Sequence, residues 1–256
     1  MIKVQNLSKE FVLTRKLQKE FQTNNKKNIA VDDVSFTCHK GRIFSLLGPN
    51  GAGKTTIMRM LSTLVQPTSG EIEISGINVL KEPREARKKI GFLTGSSGLY
   101  ARLSGLELVK YFADLYEVSP QLFEVRKEKL FTLLGIHEFQ HQRIGKMSTG
   151  MKQKISLCRT MIHDPEVIVF DEPTSGLDVI AAESIIQLIS DCKNSGKTVI
   201  FSSHIMSEVD LLCDDLAIIH KGKIIYNDSF EQFKSQMTTE SLTKEFIHLI
   251  HQQELS

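Results

Sequence analysis

No stretch of this chain is apolar for long enough to cross a bilayer as a helix. The longest runs, such as VIVF and LAII, fall far short of the roughly 20 residues a span requires. Cysteine is sparse and scattered. Cys38, Cys158, Cys192 and Cys213 contain no C-x-x-C pair, which argues against a dithiol or zinc-knuckle motif and leaves reduced, packed thiols as the expectation. Neither sign of charge dominates, with 32 Lys and Arg against 30 Asp and Glu, so nothing points to a nucleic-acid tail or a strongly acidic partner. No apolar signal core separates Met1 from the strand-like IKVQNL, and no tandem repeat is visible. What remains is ordinary: 256 residues, 41% hydrophobic and 24% charged, enough for a substantial core. The expectation is a soluble, intracellular protein.

The patterns alternate between strand and helix. IKVQNL, VDDVSFTC, GRIFSLLG and EIEISG read as strands. KTTIMRMLSTLV reads as a helix with Ile57, Met60, Leu61 and Leu64 on one face, ended by QPTSG. The polar, basic stretch LTRKLQKEFQTNNKKN between the first two strands is expected to be a solvated surface loop. From about residue 100 to 163 the period is helical. Leu106, Val109, Phe112, Ala113 and Tyr116 form one expected stripe, and Leu122, Val125, Leu130, Leu133 and Leu134 a second, ended by Gly135. A third helix covers GMKQKISLCRTMIH. The α/β pattern then returns in VIVF, AAESIIQLISDCKNSG, TVIFSS and MSEVDLLC, followed by a hairpin turning at Lys221-Gly222 and a last amphipathic helix. An α/β core carrying a helical insertion at about 97–163 follows.

Chemistry concentrates in two places. GPNGAGKT, residues 48–55, fits G-x-x-x-x-G-K-[ST] between a predicted strand and a predicted helix. Gly48, Pro49, Asn50, Gly51, Ala52 and Gly53 make a loop whose backbone N–H groups can turn inward around phosphate, and the helix dipole behind it favours an anion. Lys54 supplies a point charge for the β and γ phosphates of a nucleotide, the Thr55 hydroxyl suits Mg2+, and Thr56 continues the first turn. The apolar strand VIVF ends on Asp171 and Glu172, a carboxylate placed to hold Mg2+ and one placed to orient or deprotonate water. STG at 148–150 reads on its own as a plain helix N-cap, although a Ser hydroxyl and a bare Gly N–H before a helix could also form a second phosphate-facing surface.

These motifs, in this order, resemble the nucleotide-binding subunits of ABC transporters over about residues 1–227, with 228–256 left as a short helical extension. The resemblance implies a P-loop NTPase of the ABC ATPase type, an α/β fold with a mixed β core and an inserted helical subdomain. It implies ATP and Mg2+ as ligands, and a peripheral place on the cytoplasmic face of the membrane beside a multi-span permease subunit. GPNGAGKT is similar to Walker A and VIVFDE to Walker B, with Glu172 as catalytic base. MSTGMKQK resembles the LSGGQ signature, SGLD the D-loop, and His204 in FSSHIMSEVD the switch histidine that bonds the γ-phosphate. In that family two subunits sandwich two ATP molecules head to tail. Ser148, Thr149, Gly150 and Met151 would therefore face the ATP of the other subunit, with Asp178 at the contact, in a homodimer or a dimer with a related ATPase subunit.

The chain departs from the family pattern at three points. Thr149 and Met151 replace a glycine and a glutamine of the signature, leaving Ser148 and Gly150 in place. The adenine-stacking aromatic is either Phe11 or Phe21, with Phe11 favoured because the extra segment then follows it as a loop. In GFLTGSSGLY the family's Q-loop glutamine is replaced by Gly95, so Ser96, Ser97 or water must serve the metal there, while the loop acts as the hinge toward the permease. The stretch FLTGSSGLYARLSGLELVKYFADLY is most similar to the ATPase subunits of sodium-exporting systems, so Na+ is the expected cargo, with drug, peptide or lipid export as the alternative. A soluble ABC-type ATPase acting on DNA or ribosomes is the alternative of another class. Its usual coiled-coil insertion and tandem domains are not visible here, and no nucleic-acid partner is expected.

Overall fold

The structure, a computed structural model, describes residues 1–20, 23–94 and 98–255. Its strands are β1 (Ile2–Val12), β2 (Lys27–Cys38), β3 (Ile43–Leu47), β4 (Ser69–Ile74), β5 (Ile77–Asn78), β6 (Ile90–Thr94), β7 (Val167–Asp171), β8 (Thr198–Ser203), β9 (Asp215–His220) and β10 (Lys223–Ser229). Helices are α1 (Arg15–Glu20), α2 (Lys54–Leu61), α3 (Pro83–Lys89), α4 (Gly105–Leu115), α5 (Pro120–Leu134), α6 (Thr149–Met161), α7 (Val179–Asn194), α8 (Met206–Leu212), α9 (Phe230–Gln236) and α10 (Leu242–Leu255). An antiparallel sheet runs β2-β1-β4-β5. A second sheet runs β10-β9-β3-β8-β7-β6, with parallel neighbours throughout except for β10, which folds back on β9.

β3, β7 and β8 are buried along their whole lengths because both of their faces are covered. Alternate residues serve two cores. Phe44, Leu46, Val167, Val169 and Ile200 pack with α2 and with Ile2, Val4, Ile72 and Ile74 of the antiparallel sheet. Ile43, Leu47, Ile168, Phe170, Val199 and Phe201 join the other core, to which α4, α5, α6, α7 and α8 contribute. α2 therefore lies between the sheets, and its N-terminus opens at the carboxyl end of β3.

β6 and β7 pair in parallel from Ile90↔Val167 to Thr94↔Asp171, so the chain leaves the sheet and re-enters it at adjacent positions. Between them run α4, α5 and α6. A Ser104–Glu107 capping box starts α4, while Pro120 opens α5 and Gly135, at φ 61°, ends it. After the hairpin, α9 buries Phe230 and Phe233, and α10 lays Phe246, Leu249 and Ile250 on the same core. Among the described residues no helix is long and apolar enough to cross a membrane.

Three expectations are corrected. The 13–28 stretch is not a plain loop: β2 takes in Lys27 and Asn28, which pair with Val12 and Phe11 of β1, and α1 lies between the two strands. This part of the hairpin extends beyond the core, so it lacks the alternation that marks a half-buried strand. Leu64 falls after α2 has ended and is exposed, with Thr63 at φ 64° turning the chain away. In α5, Leu122 and Val125 face solvent while Phe123 and Phe131 are buried. α5 carries apolar residues on more than one face, and one residue of displacement turns a helical stripe by about 100°.

Candidate functional site

β3 delivers the chain into the loop of residues 48–53. Two of its glycines are demanded by close approach: a Cβ on Gly48 would lie 2.4 Å from the Ile219 carbonyl, and one on Gly53 2.4 Å from that of Ala30. Gly53 also stands at φ 111°, where an L side chain is strained, and it is the residue from which α2 begins. Lys54, the first residue of α2, is 4% exposed. Its ammonium donates to the Gly48 carbonyl at 2.7 Å and the Pro49 carbonyl at 3.1 Å, and stands 3.7 Å from Glu172 Oε1. Burial pulls its pKa below the ordinary lysine value, with the charges of Glu172 and Asp171 opposing that shift.

Asp171 ends β7 directly beneath this loop. The Thr55 hydroxyl donates to Asp171 Oδ1 at 3.1 Å, and Ser202, at the end of the neighbouring β8, donates to the same oxygen at 2.8 Å. Ser202 Oγ in turn accepts from the Glu172 amide at 3.0 Å. Glu172 sits at φ 50°, a left-handed conformation unusual for a glutamate, and its Oε1 lies 3.2 Å from His204 Nδ1. Lys54, Thr55, Asp171, Glu172 and His204 thus meet in one chain of contacts, although three different strands deliver them.

Above this floor opens a cavity of about 490 Å³. Phe11, Asn50, Gly51, Gly53, Lys54, Thr55, Thr56 and Glu172 line it, whereas Gly48, Pro49, Ala52, Asp171 and His204 are not among its lining residues. Phe11 is half-exposed at its rim, with the Lys9 ammonium 5.1 Å from the ring centroid. Phe21, Gly95, Ser96 and Ser97 lie outside the described residues. Asn28, Ile29, Ala30, Lys221 and Gly222 also line the cavity and were not foreseen. They arrive from β2 and from the β9–β10 turn, which Gly222 anchors by donating to the Ala52 carbonyl at 2.9 Å. No local motif marks them. Ser202 was missed as well, although a pair of serines ending a strand just before His204 is a visible signal.

Ser148, Thr149, Gly150, Met151 and Asp178 do not line this cavity. Ser148 caps α6 by accepting from the Met151 amide at 3.2 Å, and Asp178 caps α7 by accepting from the Ala181 amide at 2.9 Å. Both are exposed, and beside Asp178 the apolar Val179 and Ile180 are 85% and 79% exposed. α6 is tied to the loop after β7 through Gln153, whose Nε2 donates to the Pro173 carbonyl at 2.8 Å.

Known proteins resemble this chain in sequence and fold. The family model described as "ABC transporter" matches residues 31–175. ABC transporter ATP-binding protein NatA of Bacillus subtilis is 40% identical over 230 residues, which is 90% of this chain and 94% of that protein. Bacitracin transport ATP-binding protein BcrA of Bacillus licheniformis is 38% identical over 211 residues, 81% of this chain and 67% of that protein. Among solved structures, an ATP-binding subunit of an ABC transporter superposes with a TM-score of 0.85 at 24% identity, covering 97% of this chain and 99% of that one.

Proposed function

The chain belongs to the ABC transporter family and is an ATP-binding, ATP-hydrolysing protein, and from that premise we propose that it powers an exporter through a separate multi-span permease. It would work as a peripheral subunit on the cytoplasmic face of the membrane. The observation that carries this reading is the contact chain from Lys54 through Glu172 to His204 at the cavity floor. An ATPase that is 90% aligned with a relative named as a transporter's ATP-binding protein, and that has no spanning helix among its described residues, needs a partner to form the pathway.

Within the site the geometry supports the following roles. The base stacks on Phe11 at the cavity rim. The phosphates lie against the backbone amides of residues 48–55, and Lys54 turns its ammonium from the Gly48 and Pro49 carbonyls to the β and γ phosphates. Thr55 and Asp171 present a hydroxyl and a carboxylate side by side, an oxygen-only donor pair that fits Mg2+, and they would hold it. Bound there, Mg2+ neutralises charge on the phosphate oxygens. Glu172 orients the attacking water and takes its proton, while His204, in contact with Glu172, faces the γ-phosphate. Ser148 and Gly150 stay outside this cavity because they complete the site of a second subunit. Val179 and Ile180, exposed beside Asp178, are then covered by that subunit, in a homodimer or a dimer with a related ATPase. Residues 1–227 form the ATPase domain, with the 97–163 excursion as its helical subdomain and 228–256 as the extension.

For cargo, the likeness of the 92–116 stretch to sodium-exporting systems supports Na+. Export of a drug, peptide or lipid is the second reading, for which a near-equal identity to a relative named for bacitracin transport supplies the test cargo. Everted vesicles holding this chain and its permease decide between them. ATP-driven accumulation of Na+ supports the first and accumulation of bacitracin the second. Neither, with ATP turnover intact, defeats both.

A further inference from the structure

Glu208 on α8 is 7% exposed, and among the described residues its carboxylate has no cation within ion-pair distance. A buried carboxylate without a counter-charge is costly unless hydrogen bonds satisfy it. Here two hydroxyls do so, one from each catalytic loop. Thr174 Oγ1, two residues beyond Glu172, donates to Glu208 Oε1, and Ser203 Oγ, immediately before His204, donates to Glu208 Oε2 at 2.8 Å. Ser203 Oγ also accepts from the Ile205 amide at 3.0 Å, so the residues on both sides of His204 are held by one network. The first turn of α8 lends its dipole to the negative charge.

We infer that Glu208 is a positioning residue for ATP hydrolysis. By clamping the loop after β7 to the end of β8 it sets the separation of Glu172 and His204, which rests on the assignment of those two as the hydrolytic pair. Among the described residues no hydrogen bond or ion pair links Lys54 or the loop of residues 48–53 to Glu208, Thr174 or Ser203, so the clamp governs the chemical step more than nucleotide binding.

The test compares steady-state hydrolysis and ATP affinity of the full chain for Glu208→Ala, Glu208→Gln, Thr174→Val and the double variant Glu208→Ala/Thr174→Val. A misplacement of about 1 Å costs on the order of 10²-fold. The expected loss in kcat for Glu208→Ala is therefore roughly ten- to hundredfold, with KM within about twofold of wild type. Glu208→Gln keeps the shape and one acceptor and loses less, and it carries the test if the alanine variant does not fold. Thr174→Val adds little in the Glu208→Ala background, because both break the same link. Glu172→Gln measured alongside separates the two ideas. If it turns over like wild type, the hydrolytic pair is misassigned. If it is inactive while the Glu208 variants keep wild-type kcat, raise KM instead, or multiply with Thr174→Val as independent sites do, the clamp is overturned.

Discussion

Replacing Lys54 with alanine separates what the residue does for the fold from what it does for the ligand. In the fold, its ammonium is buried and holds two backbone carbonyls. Burial lowers its pKa from the ordinary 10.5, which means that the folded state bears a cost for keeping it charged. Lys54→Ala removes that cost along with the two hydrogen bonds, so the melting temperature without nucleotide should move little. ATP binding, by contrast, loses a charge-assisted contact, worth about 1.5–3 kcal/mol. At about 1.4 kcal/mol per tenfold, affinity falls roughly ten- to hundredfold. Thermal unfolding reads both effects in one titration. At ATP a hundred times above the wild-type Kd the ligand stabilises wild type by about 2.7 kcal/mol, and a hundredfold weaker variant by about 0.4 kcal/mol. The pH dependence supplies a second readout. A lysine whose folded pKa lies below its unfolded one binds fewer protons folded than unfolded between those values, so wild-type stability rises with pH through that window below 10.5. The variant lacks that rise. An ATP-induced shift equal to wild type would refute the phosphate role of Lys54.

Three further outcomes follow from the same geometry. Glu172→Gln should retain ATP affinity, lose roughly 10²–10⁴-fold in turnover and accumulate an ATP-bound dimer by size exclusion, whereas wild-type hydrolysis removes it as the base. Gly53→Ala sets a Cβ 2.4 Å from the Ala30 carbonyl at φ 111°, so its melting temperature should drop with about 1–3 kcal/mol of backbone strain and steric displacement added to it; an unchanged melt contradicts the close approach. His163, stacked on Tyr116 and half-buried, has its pKa lowered from 6.5 to about 4, chiefly by desolvation, so it stays neutral in the fold. Its contribution is complete above pH 6.5 and lost as the pH falls toward 4, about 3 kcal/mol in all. Denaturant melts at pH 7 and pH 4.5 should show this difference shrink in His163→Gln.

Reading the helical region shows where local pattern stops working. α4 and α6 were legible because cap residues and a single apolar stripe agree, as with Ser104 and Glu107 at the start of α4. α5 has apolar residues around its circumference, and which of them turn inward is decided by the α6 and α7 surfaces it meets. The burial of Phe123 over Leu122 is a packing outcome that no periodicity states. α1 and the outer ends of β1 and β2 were missed for the opposite reason: they pack on little, so nothing in their composition alternates.

The residues of the phosphate loop are consecutive, and a strand, a glycine loop and a helix N-terminus are enough to specify what 48–55 can hold. Asp171 was equally readable, because a fully buried strand that ends in carboxylates must present them at the sheet's edge. Those elements of the site were determined locally. The rest depended on sheet order. β7 and β8 are neighbours in the register Asp171↔Ser202, which puts Ser202 on Asp171 and brings Glu172 to His204 and Thr174 and Ser203 to Glu208. The β9–β10 turn meets Ala52 because β9 pairs with β3, which brings Lys221 and Gly222 to the cavity wall. These contacts span 30 residues or more of chain in several cases, and their partners are selected by strand pairing and core packing, which act through space and leave no mark on neighbouring residues.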